Sequence, residues 1–218
     1  PWRAQGEGAL SSAIAAAFQS RWLAGGARSR QLDHSGWVDT AYLGCWPRAT
    51  FERFGAFDET LVRNQDDEHN LRITRGGGRI WQSAAIRSTY RPRDSLAALW
   101  RQYQQYGYWK PFVIRKHGGA ASWRHWLPAG LVLGLAGSLL SALLGAPLWM
   151  TVLLPGLYLA VVLAASLAIA AQTRWMHGPW LPLVIPACHL GYGLGFLLGA
   201  FDAWCGQGPR ARMERLSR

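Results

Sequence analysis

The sequence predicts a mixed α/β polar region, then an amphipathic helix lying in a membrane interface, then about three membrane helices. Three observations lead there. No Asp, Glu, Lys or Arg occurs from Trp126 to Thr173, and a second uncharged run extends from Gly178 to Phe201; roughly 20 apolar residues are enough to cross a hydrocarbon core. Basic residues crowd the ends of these runs, with Arg115, Lys116 and Arg124 before the first and Arg210, Arg212, Arg215 and Arg218 after the last. That is how cytoplasmic flanks read under the positive-inside rule. Before Lys116, short helix and strand patterns follow one another with glycine punctuation between them. The near-zero mean hydropathy therefore averages two unlike halves. The expected divisions are a polar domain over 1–94, an interfacial helix over 95–119, a transmembrane region over 120–201 and a basic tail over 202–218.

Each element has its own signal. Leu10 to Trp22, "LSSAIAAAFQSRW", is Ala-rich with apolar residues at helical spacing and a serine to cap it, and Gly25-Gly26 ends it. "WVDTAYLGCW", Trp37 to Trp46, is rich in β-branched and aromatic residues and reads as a strand leading into a turn. In "PRATFERFGAFDE", Pro47 and Gly55 bracket a short helix packed by Phe51, Phe54 and Phe57. A further helix carries Leu71 and Ile73 and stops at Gly76-Gly77-Gly78. No Lys-Ser or Lys-Thr follows those glycines, so they are helix punctuation and not a phosphate loop. "RIWQS" and "AAIRSTYRP" read as two short strands.

Ser95 to His117 interleaves aromatics with amides and cations, the pattern of a helix lying in the interface plane. Beyond it, spans are expected over Trp126 to Leu144 and Leu148 to Ala170, divided at Gly145-Ala146-Pro147. A third apolar segment, Trp180 to Phe201, contains Pro182, Pro186 and His189. Two crossings return the chain to the cytoplasmic side at Arg174, so a third full crossing would put the Arg-rich tail outside. The depth of this segment stays open.

Charge and cysteine usage exclude some classes. A formal net charge of +11 would suggest nucleic acid as the partner of a soluble protein. Here the cations flank the membrane runs, so anionic headgroups are the expected partner and nucleic acid is not. Cys45, Cys188 and Cys205 are few, odd in number and far apart, and the six His are scattered. Neither a disulfide framework nor a metal site is indicated. The opening "PWRAQGEGAL" lacks an initiator Met and suggests a start inside a longer protein.

The stretch "LVRNQDDEHNLRITRGGG", Leu61 to Gly78, places Asp66, Asp67 and Glu68 side by side in a basic chain. One reading is structural: acids in a first helical turn face the positive end of the helix dipole, worth about 0.3–1 kcal/mol each. The other is chemical: a carboxylate at the mouth of a cleft accepts a proton from an attacking hydroxyl. On the triplet alone both stand.

The ordered series "VDTAYLGCWPRATFERFGAFDETLVRNQDDEHNLRITRGGGRIW" resembles the C-terminal part of the catalytic domain in family 2 glycosyltransferases of the GT-A fold. The resemblance is nearest to membrane-bound bacterial enzymes that build exopolysaccharides of the succinoglycan type. It implies that the polar region is the acceptor side of a GT-A domain and that Asp66 corresponds to the catalytic base. Gln65 departs from the Glu of many members. Gln105-Tyr106-Gly107-Tyr108-Trp109 occupies the place of a Gln-x-x-Arg-Trp motif, with Tyr108 where the Arg stands and with Lys110 or Arg101 available to compensate. The resemblance further implies substrate-binding roles for Asp39, Asp67, Glu68, Gln105, Trp109 and Lys110. The substrates it implies are a nucleotide-diphosphate sugar and a lipid-linked or polysaccharide acceptor, with Mg²⁺ or Mn²⁺ held mainly in a nucleotide-binding half that this sequence does not contain. The setting it implies is the bacterial inner membrane with the catalytic part cytoplasmic. A noncatalytic membrane anchor or partner-binding subunit, its acids only finishing a helix, is the competing expectation.

Overall fold

The computed structural model describes residues 1–120 and 122–215; Arg218 of the basic tail lies outside the described residues. A short α/β region is followed by long helices. Strand β1 (Trp2–Ala4) leads to α1 (Ala9–Gln19) and the single turn α2 (Arg21–Ala24), then to β2 (Gly36–Val38), α3 (Arg48–Phe54) and α4 (Gln65–Arg75). Strands β3 (Ile80–Gln82) and β4 (Ser88–Tyr90) precede the long helix α5 (Leu96–Lys116). The apolar helices are α6 (Leu127–Leu143), α7 (Leu148–Gln172) and α8 (Leu181–Trp204), with α9 (Ala211–Glu214) in the tail. Three of these helices are long and apolar enough to cross a membrane, the first counted from Trp123.

The strands form two small sheets. β1 and β4 pair in parallel, with Trp2 opposite Ser88, whereas β2 and β3 pair antiparallel with Trp37 opposite Trp81. Trp37 to Trp46 forms the expected strand leading into a turn: the ladder of β2 with β3 ends at Val38, and Leu43 then adopts a left-handed backbone, φ 53°, in the turn. Gln82 secures the approach to β2: its amide reaches the carbonyl of Gln31 at 3.2 Å and those of Arg28 and His34 at 3.4 Å. At the end of α3, Gly55 takes φ 80°, which a side chain would resist. Arg72 then staples the following loop to α4 through the carbonyls of Phe54 (2.6 Å) and Ala56 (2.9 Å).

The main core disregards the boundary between the polar and apolar halves. Ile14, Ala17 and Phe18 of α1 pack with Trp2 and Leu99, and also with Ile169 of α7 and Leu181 and Ile185 of α8. Burying a side chain of this size contributes about 1.5–3 kcal/mol, so the α/β region draws stability directly from the apolar helices. By contrast α6 and the first half of α7 present Leu139, Leu143, Leu153 and Leu157 outward. An apolar hairpin with open flanks is what lipid contact requires.

Helix α5 starts at Ser95, whose side chain accepts a hydrogen bond from the amide of Ala98 at 3.3 Å. Further along, α5 packs closely on a neighbouring helix. It meets α8: a β-carbon added to Gly195 would overlap the carbonyl of Gln104, and one added to Gly199 would overlap that of Tyr108. Small residues at four-residue spacing let two helix backbones touch.

Candidate active site

Helix α4 begins at Asn64, which takes a left-handed backbone (φ 62°) and donates its side-chain amide to the carbonyl of Tyr106 at 3.0 Å. This bond fixes the first turn of α4 against the middle of α5. Successive residues on a helix diverge by about 100°, so the three neighbouring acids point to three different environments.

Glu68 points inward. It is fully buried and receives Arg72 at 2.7 Å on one oxygen and Lys116 and His117, each at 2.9 Å, on the other. Burial alone would raise its pKa, but the hydrogen bonds from Arg72, Lys116 and His117 outweigh it and hold the carboxyl below its ordinary value. Lys116 also binds Asp58 at 2.6 Å; that bond and those from Thr60 depress the Asp58 carboxyl to about 2. Glu68 is thus the hub that ties α4 to the end of α5.

Asp67 points sideways and forms an ion pair with Lys110 of α5. The lysine side chain is 8% exposed and the aspartate 27%. Breaking a buried pair from one side leaves an uncompensated charge, at a cost of about 3 kcal/mol or more. Asp67→Asn should therefore destabilise the protein by about that much in a detergent-solubilised unfolding measurement. Adding Lys110→Met to it should recover part of the loss, because the lysine is the charge left stranded.

Asp66 is the acid left over. It is half-buried, and among the described residues no ion pair reaches it. Burial pushes its carboxyl above the ordinary value and the Asp67 charge adds to that push, while the amides of Asp67 and Asp66 itself and the Lys110 charge offset part of it. Its charge is felt by Tyr42 and Tyr106. Tyr42 is 47% exposed and stands edge-on to Tyr90, ring centroids 6.4 Å apart, and the Tyr90 and Tyr106 hydroxyls share the side-chain amide of Gln102. A carboxylate of raised pKa within electrostatic reach of the exposed Tyr42 is suited to take a proton from a polyhydroxylated ligand.

The remaining sequence-predicted residues divide. Asp39 is exposed and lines a cavity of about 320 Å³ with Arg28, Trp37 and Arg124; it lies within electrostatic reach of His125, as do Lys110 and Asp67. Gln105 and Trp109 are turned toward the tail: the Gln105 amide and the Trp109 indole N–H both donate to the carbonyl of Met213, at 3.4 and 3.2 Å, and Gln105 also takes Arg63. Tyr108 is buried, donates to Asp202 at 2.8 Å and accepts the Arg210 amide at 2.9 Å. The Arg210 guanidinium grips the same Asp202 at 2.7 and 2.8 Å. Where the resemblance implies an Arg at position 108, the fold thus brings Arg210 alongside. Among the described residues no group of three or more His, Cys, Asp or Glu could hold a metal ion.

The chain is similar to a curated bacterial protein. It is 28% identical over 187 residues to the succinoglycan biosynthesis protein ExoA of Rhizobium meliloti (strain 1021), a match that covers 86% of this chain and 56% of that protein. The chain thus spans about half the length of the curated relative it matches. No family model and no solved structure matches.

Sequence reasoning passed over His69. Its imidazole is fully buried against Trp46, Phe51 and Phe57, with ring centroids at 5.4, 5.4 and 4.9 Å, and burial lowers its pKa. The three aromatics close around it from α3 and its flanking loops. A histidine one position after the acids was the available signal, but single-residue spacing does not show which side chains will surround it. The contact of the tail with Trp109 was equally illegible, because about a hundred residues separate the partners.

Proposed function

We propose that this chain is the acceptor side and membrane seat of a glycosyltransferase in bacterial exopolysaccharide synthesis, a membrane-bound enzyme of family 2 and the GT-A fold. The observation that carries the reading is Asp66: of three consecutive acids it alone is left without an ion pair among the described residues, half-buried beside Tyr42 and Tyr106. The similarity to a succinoglycan biosynthesis protein supports it.

In this proposal Asp66 accepts the proton of the acceptor hydroxyl as that oxygen attacks the anomeric carbon of a hexose. The carbon–oxygen bond to the nucleotide diphosphate breaks on the opposite face, inverting the centre, and the electron pair leaves with the diphosphate. The Asp67–Lys110 pair and the Asn64–Tyr106 bond hold α4 at a fixed distance from α5 and so aim the carboxylate. Donor binding, and any Mg²⁺ or Mn²⁺, fall to other parts of a longer polypeptide, so that these 218 residues would not turn over by themselves. Lipid-linked or polysaccharide acceptors are the expected partners, reached on the cytoplasmic side of the inner membrane. Holding the acceptor at headgroup level makes the encounter two-dimensional, and proximity then contributes to rate.

The test is incorporation of labelled sugar from nucleotide-diphosphate sugars into the lipid fraction of membranes carrying the intact protein. Transfer that requires the protein supports the reading. Membranes that hold abundant protein and transfer from none of the donors favour the noncatalytic anchor.

A further inference from the structure

We propose that the chain crosses the bilayer only twice, through α6 and α7, and that α8 lies flat in the membrane interface beneath the α/β region, returning the basic tail to the side of Asp66. By length and composition α8, 24 residues long, qualifies as a third span. Its contacts assign it elsewhere.

Helix α5 is fastened to the α/β region along its whole length. Gln102 holds the Tyr90 hydroxyl at 2.7 Å, Asn64 holds the Tyr106 carbonyl at 3.0 Å, Lys110 pairs with Asp67, and Lys116 pairs with Asp58 at 2.6 Å. It also carries Arg101 and Arg115, exposed. Several charges on one helix make a position in hydrocarbon costly, so α5 stays at the aqueous side. Helix α8 runs beside it in the same direction and in step. Gly191 lies against Trp100, Gly195 against Gln104 and Gly199 against Tyr108, one four-residue advance on each helix at every contact. Two helices locked backbone to backbone share an orientation, and α8 therefore takes that of α5.

The ends of α8 give the same answer independently. Its first turns, Leu181 and Ile185, share a core with Ile169 near the end of α7 and with Ile14 of α1. Its last turn places Trp204 with its ring 6.4 Å from that of Trp126, just before α6. The end of α7 and the start of α6 are the two feet of one hairpin and sit at one membrane level. A 24-residue helix is about 36 Å long, so upright in the bilayer it would hold its ends on opposite sides. Here both ends rest at the feet.

The partner is the lipid surface. Trp123, Trp126, Trp175 and Trp204 are exposed around the feet, and Trp149 is exposed beside the hairpin turn. Indole rings at two separated levels mark the two interfaces of a bilayer. The charges agree, because Arg115, Lys116, Arg124 and Arg174 flank the feet and Gly145-Ala146-Pro147 at the turn has none. With α8 in the interface, Arg210, Arg212 and Arg215 join the same side and no exception to the positive-inside rule is needed.

Native cysteines allow the test. Cys45 in the α/β region and Cys205 after α8 are exposed and free, whereas Cys188 is buried. The full protein in its own membrane is treated with a membrane-impermeant maleimide, in sealed right-side-out cells and in inverted vesicles. Cys45→Ala and Cys205→Ala assign the labels, and Leu144→Cys marks the hairpin turn. Cys45 and Cys205 are expected to react from the same face, about tenfold faster than from the other because hydrocarbon excludes the reagent, and Leu144→Cys from the opposite face. Should Cys205 resist the reagent, Gln207→Cys takes its place. Labelling of the α8 end from the face that labels Leu144→Cys overturns the proposal, and so does failure of both reporters on the Cys45 face.

Discussion

Asp66→Asn is expected to lower sugar transfer by about 10²–10⁴-fold, the usual contribution of a general base, with the amount of protein in the membrane unchanged. The substitution keeps size and hydrogen bonding but removes the proton acceptor. It should be structurally mild because no ion pair among the described residues depends on that carboxylate. The pH dependence supplies the control. Burial raises the pKa of Asp66, so the active, ionised form is lost on acidification at a pH above the ordinary aspartate range of about 3.9. Activity should rise with pH through that displaced value and level off above it, and the residual activity of Asp66→Asn should lack this limb. Wild-type transfer rates from the variant would remove the base from the proposed mechanism.

Gly195→Leu in α8 is expected to damage the fold severely. A β-carbon there would overlap the backbone carbonyl of Gln104, and backbone cannot swing aside as a side chain does. Overpacking costs typically 1–3 kcal/mol and occasionally more. With main chain as the obstacle we expect about 3 kcal/mol, which for a protein of this size lowers Tm by about 10 °C. Gly137→Leu in α6 is the control, since a β-carbon there meets nothing within 4 Å. Thermal unfolding in detergent should separate the two variants. Equal Tm values would show that α5 and α8 do not depend on close approach. Because α5 also positions α4, through the Tyr106 carbonyl that holds Asn64 and through Lys110 that holds Asp67, Gly195→Leu should depress activity as well, through geometry and without changing the acidic limb.

Most of the elements were legible because their causes are local. Gly55 and Gly76 end α3 and α4 as their positions predict, and the uncharged runs coincide with α6, α7 and α8. Where the strand over Trp37 to Trp46 gives way to its turn was not legible, for a nonlocal reason: β propensity describes a residue that fits a sheet, and the pairing with β3 stops at Val38. Strand β1 has only three residues and exists through its pairing with β4, some 85 positions away. The β4 stretch was read as a strand from its own residues, but β1 carries no periodic signal long enough to read.

The acids divide in the same way. Their first-turn position on α4 was written in the sequence, and so were the two readings, dipole and proton transfer, that the position leaves open. Which of the three stays without an ion pair was not, because that depends on Lys110, Lys116 and Arg72 arriving from different helical turns. Gly191, Gly195 and Gly199 stand four residues apart in the sequence, yet spacing states only that a backbone can approach, not whose. By itself the sequence determined that this protein meets a membrane, where its helices begin and end, and which three carboxylates were candidates, since charge, hydropathy and punctuation are properties of neighbouring residues. Only the tertiary structure decided that Glu68 is a buried hub, that Asp66 is left without an ion pair, and that α8 lies along α5. Burial and ion pairing are set by groups brought together across the chain, and no window of sequence contains both partners.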